Sequence, residues 1–216
     1  MNCKESKQYR LRDRKETIYW IGGSSCAGKS TFAKLYAEKK GFSLYSCDNH
    51  FEEHLNRISA STHPAMSRMS KMTSNELFYK TKPAEQLRLY IDIFKEDFKF
   101  VVDDILTLRD KPLVVEGNQL MPSLVHDFMK LKDKAIWLAP TENQQIEIYS
   151  KRTWIHSVLK DTDNQTIAFN NWMKRDSLFA NHVVKETNRL NLTSLSIDSN
   201  LDWDKYFDLI EKHLSE

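Results

Sequence analysis

The chain has 216 residues, 29% of them charged and 40% hydrophobic, with a formal net charge of +2. That length suits one α/β domain with a buried core, and the near-balanced charge removes any global pull towards nucleic acid. Three cysteines (Cys3, Cys26, Cys47) lack metal-ligand spacing and cannot all pair, so a reduced, cytoplasmic setting is expected, and no run reaches the roughly 18 apolar residues of a membrane span.

Residues 1–16 read as a polar N-terminal tail, too polar for a signal peptide. Lys4, Lys7, Arg10, Arg12, Arg14 and Lys15 could touch RNA or an acidic partner, but a solvated, frayed terminus is the simpler reading. A single domain is expected over 17–216. It opens with a β-branched and aromatic run that predicts a strand over Ile18–Gly22.

Gly23 to Ser30 then reads G-S-S-C-A-G-K-S, matching the phosphate-binding pattern G-x-x-x-x-G-K-[ST] at every fixed position. Gly23 and Gly28 let the backbone curl, so that the amides of Ser24, Ser25, Cys26 and Ala27 face a phosphate. Lys29 places a point charge on the β- and γ-phosphates, the Ser30 hydroxyl can ligate Mg²⁺, and Thr31 completes the expected nucleotide-binding set. Phe32, Leu35 and Tyr36 recur at helical spacing over 29–40 before Gly41, so a helix N-terminus faces the anion. A chance match would lack the strand before the loop and the helix after it.

Asp48 follows a strand expected over Phe42–Cys47. It could accept a proton from an attacking hydroxyl or help hold Mg²⁺, and it could equally cap the next helix. Residues 51–82 fit the strand and helix pattern poorly. Within an acceptor-binding region at about 49–82, Arg57, Arg68 or Lys71 could meet an anionic substrate, or the segment could be a surface excursion. His50 to His54 spells H-x-x-E-H, a zinc-protease pattern, but it needs a third ligand that the sequence does not identify. Its place directly after Asp48 favours the phosphate-loop context.

A helix is predicted over about 83–109, with Pro83 near its first position, followed by a strand over Pro112–Glu116. Glu116 ends that strand where a Mg²⁺-associated carboxylate would sit, or it is a plain strand-terminal acid. Next come a helix over 123–131, a strand over Lys134–Ala139 and a helix over 142–159 opened by Thr141. A polar stretch from Asp161 to Asn171 reads as a flexible flap before a helix over 170–190. Arg152 and Arg175 bracket this lid, about 151–175, as candidates for charge over the γ-phosphate, with surface ion pairs as the alternative. A strand over Ser194–Asp198 leads to Asp198-Ser199-Asn200, which could border an adenine or cap the last helix, 202–214. That helix puts Trp203, Phe207, Ile210 and Leu214 on one face.

Alternation of strand and helix predicts a five-stranded parallel sheet with helices on both faces and its ligand at the carboxyl ends of the strands. With the GSSCAGKS loop, Asp48-x-x-Phe51 and Val115-Glu116-Gly117 in order, the chain resembles the small P-loop kinases of metabolites and nucleosides. Asp48 and the V-E-G strand end look like uridine kinase and its relatives, and the loop spelling is similar to chloramphenicol phosphotransferase. The resemblance implies a nucleoside/nucleotide-kinase-like sheet, ATP with Mg²⁺, an arginine-bearing lid and Asp48 as general base, with Ser30, Glu116 and Asp48 near the metal.

The expected activity is transfer of the ATP γ-phosphoryl group to a hydroxyl or phosphate of a small-molecule acceptor, by a monomer or homodimer, with no membrane and no nucleic-acid partner. The alternatives are a nucleotide-binding regulatory ATPase without an acceptor and a kinase of polynucleotide ends. The lack of N-K-x-D and D-x-x-G disfavours a GTPase.

Overall fold

β1 (Ile18–Gly23), β2 (Ser43–Ser46), β3 (Leu113–Glu116), β4 (Lys134–Pro140) and β5 (Ser194–Ile197) pair in parallel in the order β2-β3-β1-β4-β5. Every residue of β3 is buried, and so is nearly every residue of β1 and β4, whereas the edge strands β2 and β5 are partly open. This is the pattern of a sheet covered on both faces, where side chains of either parity must be apolar. The computed structural model describes residues 15–108, 111–130, 133–198 and 202–215. Cys3, the basic positions from Lys4 to Arg14, and Ser199 and Asn200 lie outside them.

Among the described residues ten further elements accompany the sheet: α1 (Lys29–Lys40), α2 (Cys47–Leu55), α3 (Pro64–Met69), a π-helical segment (Asn75–Lys80), α4 (Pro83–Ile105), α5 (Pro122–His126), α6 (Glu142–Ser150), α7 (Trp154–Leu159), α8 (Gln165–Leu190) and α9 (Trp203–Ser215). Strand alternation sorts the core into two layers. Trp20, Leu113, Val115 and Trp137 pack with apolar residues of α4, α5 and α8. Ile21, Val114, Ile136 and Leu138 face the other way, onto Phe32 and Tyr36 of α1 and Tyr206, Ile210 and Leu214 of α9. Trp137 is wholly buried, and its indole N–H donates to Leu120 O at 2.6 Å. In a third cluster Phe78, Tyr149, Ile155, Leu159 and Trp172 join α6, α7 and α8 to the π-helical segment.

The strands fall where expected to within a residue, and four expectations for the segments between them are corrected. The helix read over 123–131 spans only Pro122–His126. The segment read over 142–159 breaks at Lys151–Thr153 into α6 and α7, a turn that lets Ile155 and Leu159 bury against Trp172. The polar flap is helical from Gln165, and Asn171 Nδ2 donates to Phe78 O at 3.0 Å. The irregular region after Phe51 folds into α3 and the π-helical segment, and Met66, Ser67 and Phe78 there are buried. Among the described residues no helix is long and apolar enough to cross a membrane.

β1 hands the chain to the loop through a close backbone approach. Gly23 has φ +124°, its partner across the sheet is Leu138, and an added Cβ would sit 2.0 Å from Leu138 O. Gly23→Ala is therefore expected to destabilise the fold by at least about 1–3 kcal/mol, the scale of a forced backbone conformation. Thermal denaturation followed by circular dichroism measures this, and an unchanged melting temperature would contradict that approach.

Candidate functional site

The carboxyl ends of β1 and β3 are adjacent, and the chain leaves them towards opposite edges of the sheet. That switch point is where an open α/β sheet forms its crevice. From β1 the loop runs into α1, with Gly28 at the N-cap in the left-handed conformation, φ +74°. Cys26 shares that conformation at φ +65° without being glycine. Non-glycine residues hold it only where their surroundings impose it, commonly at binding sites. Burial pushes the Cys26 thiol up to about 11, so it packs rather than reacts.

Lys29 is 7% exposed, and its ammonium donates to Ser24 O at 2.7 Å. Burial pulls its pKa down, while the carboxylates of Glu116 and Asp48 oppose that pull. Glu116, at the buried end of β3, accepts from Ser30 Oγ at 3.1 Å and from Ser46 Oγ. Asp48 lies in the first turn of α2, exposed to the crevice, and its Oδ1 accepts from Gln119 Nε2 at 3.4 Å. Ser46 takes the N-cap position of that helix, so capping does not account for Asp48.

Two cavities open here. A polar cleft of about 190 Å³ is lined by Ser25 through Thr31 with Asp48, Asn118 and Arg152. Beside it lies a larger cavity of about 440 Å³, mostly apolar, which shares Ser25, Asp48, Asn118 and Arg152 with the cleft. A cleft lined by a glycine-bounded loop and a lysine at a helix N-terminus is suited to an anion, and its neighbour to an organic molecule.

Of the loop residues, Gly23 and Ser24 stand behind the cleft rather than in it. Ser24 is fully buried, and its N–H bonds Leu138 O at 3.0 Å. Arg152 sits in the break between α6 and α7, at the junction of both cavities, with its guanidinium 5.0 Å over the Tyr149 ring. Arg175 lines the larger cavity and not the cleft, so the expectation that it covers a γ-phosphate is corrected. It is buried, and its Nε donates to Asp176 Oδ1 at 2.6 Å.

The three basic residues expected to grip an acceptor do not line the cavity. Arg57 bonds Asp104 at 3.0 Å and lies over Phe100, while Arg68 and Lys71 are exposed elsewhere. From the same stretch Phe51, Met69, Leu77 and Phe78 line it instead. Asn118, Gln119 and Tyr90 were not anticipated. The first two directly follow β3, so the strand-end rule that selected Glu116 could have found them. Tyr90 carries no such signal.

The H-x-x-E-H spelling does not form a metal centre. His54 is buried with both ring nitrogens on carboxylates, Nδ1 to Asp97 at 2.6 Å and Nε2 to Asp104 at 2.8 Å, while His50 Nδ1 pairs with Ser46 O at 2.9 Å. Among the described residues no group of three or more His, Cys, Asp or Glu is placed to hold a metal ion. Burial pulls the His54 pKa down, but the bonds from Asp97 and Asp104 outweigh it and leave it above the ordinary value of 6.5. Burial likewise works against the ionised Asp104 carboxyl, and bonds from His54, Tyr45 and Arg57 hold it below its ordinary range.

No protein-family model and no curated protein matches the chain. Solved structures do resemble it. An uncharacterized protein from Eubacterium ventriosum aligns at 16% identity over 93% of this chain and 99% of that one, with a TM-score of 0.46. A shikimate kinase from Acinetobacter baumannii, in complex with shikimate, aligns at 17% identity over 95% and 93%, TM-score 0.44. A gluconokinase from Sinorhizobium meliloti aligns at 13% over 94% and 91%, TM-score 0.45.

The His54 network sets a pH window. A raised histidine pKa stabilises fully below about 6.5, and that contribution is lost as pH rises through the folded value. The lowered Asp104 pKa stabilises above about 3.9, and that contribution is lost as pH falls through its folded value. Asp97, whose carboxyl burial pushes up, has the opposite sign to Asp104 over the acid range, so the upper limb through His54 is the part of the profile this cluster sets. His54→Leu should lower unfolding free energy by about 3–5 kcal/mol, because it strands a buried carboxylate, and should flatten the upper limb. Urea denaturation across pH measures both, and an unaltered upper limb would contradict the assignment.

Proposed function

We propose that the protein is an ATP-dependent kinase that transfers the γ-phosphoryl group to a hydroxyl of a small molecule. The observation that carries this reading is the junction of the two cavities at Asp48 and Arg152. Triphosphate in the loop and acceptor in the larger cavity would meet at one carboxylate and one guanidinium.

In this reading the loop amides and Lys29 hold the β- and γ-phosphates at the amino end of α1. The donors at the cleft floor suit Mg²⁺, a hard cation that takes one or two carboxylates, substrate phosphates and waters. Ser30 Oγ would hold it, with Glu116 and Asp48 as the carboxylates beside it. Bound there, it neutralises charge on the β- and γ-oxygens. Asp48 accepts the acceptor hydroxyl's proton as that oxygen bonds to the γ-phosphorus and the bond to the β-phosphate oxygen breaks, releasing ADP. Arg152 supplies positive charge to the transferring group, and the aromatic packing of α7 and α8 keeps water away. Without the sequence signatures of guanine recognition, ATP is the donor that fits.

The test is an ADP-release assay with MgATP and a panel of alcohols, sugars, nucleosides and a 5′-hydroxyl oligonucleotide, beside an acceptor-free arm. Turnover that requires a small acceptor supports the reading. Steady hydrolysis indifferent to every acceptor would replace it with a regulatory ATPase. Asp48→Asn should reduce turnover by roughly 10²–10⁴-fold, the usual contribution of a general base, with nucleotide affinity retained; unchanged turnover would remove Asp48 from the role.

A further inference from the structure

We infer that the larger cavity selects a neutral, flat, ring-bearing alcohol that carries a carbonyl oxygen, and that Arg175 is the group that orients it. The transfer step rests on the kinase reading above; the acceptor class rests on the cavity itself.

The cavity volume of about 440 Å³ falls in the range of small-molecule sites. Its walls are rings. Phe78 stacks on Trp172 with centroids 4.4 Å apart, Tyr90 lies 4.1 Å from Phe94, and Tyr149 and Trp154 meet edge-on at 6.3 Å. Leu89, Ile93 and Met69 fill much of the remainder. Flat faces pack against such walls. A polyol would bring hydroxyls that lose water and find few partners there.

Charge narrows the class further. Arg175 is 5% exposed, and its guanidinium lies 4.2 Å over Tyr90 and 5.7 Å from the Trp172 ring. Its Nε is committed to Asp176, which also accepts from Tyr149 Oη at 3.0 Å. Among the described residues no side chain or carbonyl takes its Nη hydrogens, so that edge remains to donate into the cavity that Arg175 lines. At the deep end of the cavity the Arg175 charge is met by Asp176 at 2.6 Å, while Arg152 and Asp48 stand at the junction with the cleft, where the transferring phosphoryl group would lie. A carboxylate placed at Arg175 would therefore meet a guanidinium whose charge Asp176 already offsets, whereas a carbonyl oxygen needs only the donors. With the carbonyl at Arg175 and the rings between, the hydroxyl is left for Asp48, at the junction with the cleft.

The probes are 4-(hydroxymethyl)benzamide and its two-ring homologue 6-(hydroxymethyl)-2-naphthamide, set against 4-(hydroxymethyl)benzoate, sorbitol and gluconate. Binding without nucleotide is read from tryptophan fluorescence, since Trp154 and Trp172 line the cavity, and transfer is read from ADP release with MgATP. The amides should bind at least about tenfold more tightly than benzoate or the polyols. Arg175→Gln should weaken amide binding about 10- to 100-fold, the worth of a charge-assisted hydrogen bond, with the KM for ATP held within about twofold. Arg175→Lys should restore part of the loss.

Amide binding that depends on Arg175 but yields no transfer would uphold the class and overturn the kinase reading. Phosphorylation of sorbitol or gluconate without amide binding would do the reverse. Benzoate binding tighter than benzamide, or no binding by either amide, would overturn the inference on the unmodified protein, whatever the variants do.

Discussion

Lys29 keeps its ammonium group nearly out of water at the carboxyl end of β1, with the Ser24 carbonyl as its hydrogen-bond acceptor and the charges of Glu116 and Asp48 opposing the effect of burial. Removing a cation from water costs several kcal/mol unless charges and acceptors offset it. That requirement organises much of what surrounds it. It explains why a carboxylate ends an otherwise apolar strand, why two serine hydroxyls converge on that carboxylate, and why the loop between Gly23 and Gly28 has its tight curl. A phosphate chain entering the cleft would supply the anionic partner that one neutral carbonyl replaces only in part.

The sheet delivers these groups to one place. Parallel pairing of β1 with β3 brings Ile21 level with Glu116, and pairing of β2 with β3 brings Ser46 to the same level. Three strand ends then feed the loop, Glu116 and Asp48 into one crevice. Opposite them, α6, α7 and α8 present Arg152, Trp154, Trp172 and Arg175 from a packed aromatic cluster. The side with Lys29 is polar and the side with the rings is not, and Asp48 and Arg152 stand on the boundary.

Much of this was legible in the sequence because it is local. The five strands are short apolar runs with clear stops, and the phosphate loop is contiguous, so spacing alone locates Lys29, Ser30 and Glu116. The acceptor side was not legible, because its chemistry depends on which distant side chain meets which. Arg175 and Asp176 are neighbours in the chain, but only the rings of Tyr90 and Trp172 make them a buried pair. His54 has a metal-like spacing, and it is Asp97 and Asp104 on α4, far along the chain, that claim both of its nitrogens. Arg57 looked available until Asp104 and Phe100 were placed beside it. The polar stretch from Asp161 to Asn171 suggested mobility from composition, whereas most of it is helical, with Ala168 buried in the cluster that holds Phe78 and Trp172.

The account turns on whether a nucleotide tail occupies the loop next to the aromatic cavity. The most direct measurement is calorimetric titration of the folded protein with Mg²⁺ and a non-hydrolysable ATP analogue. One bound nucleotide per chain, lost when Mg²⁺ is replaced by a chelator, is the predicted result. No heat of binding from well-folded protein, with the ATP analogue or its GTP counterpart, would contradict it.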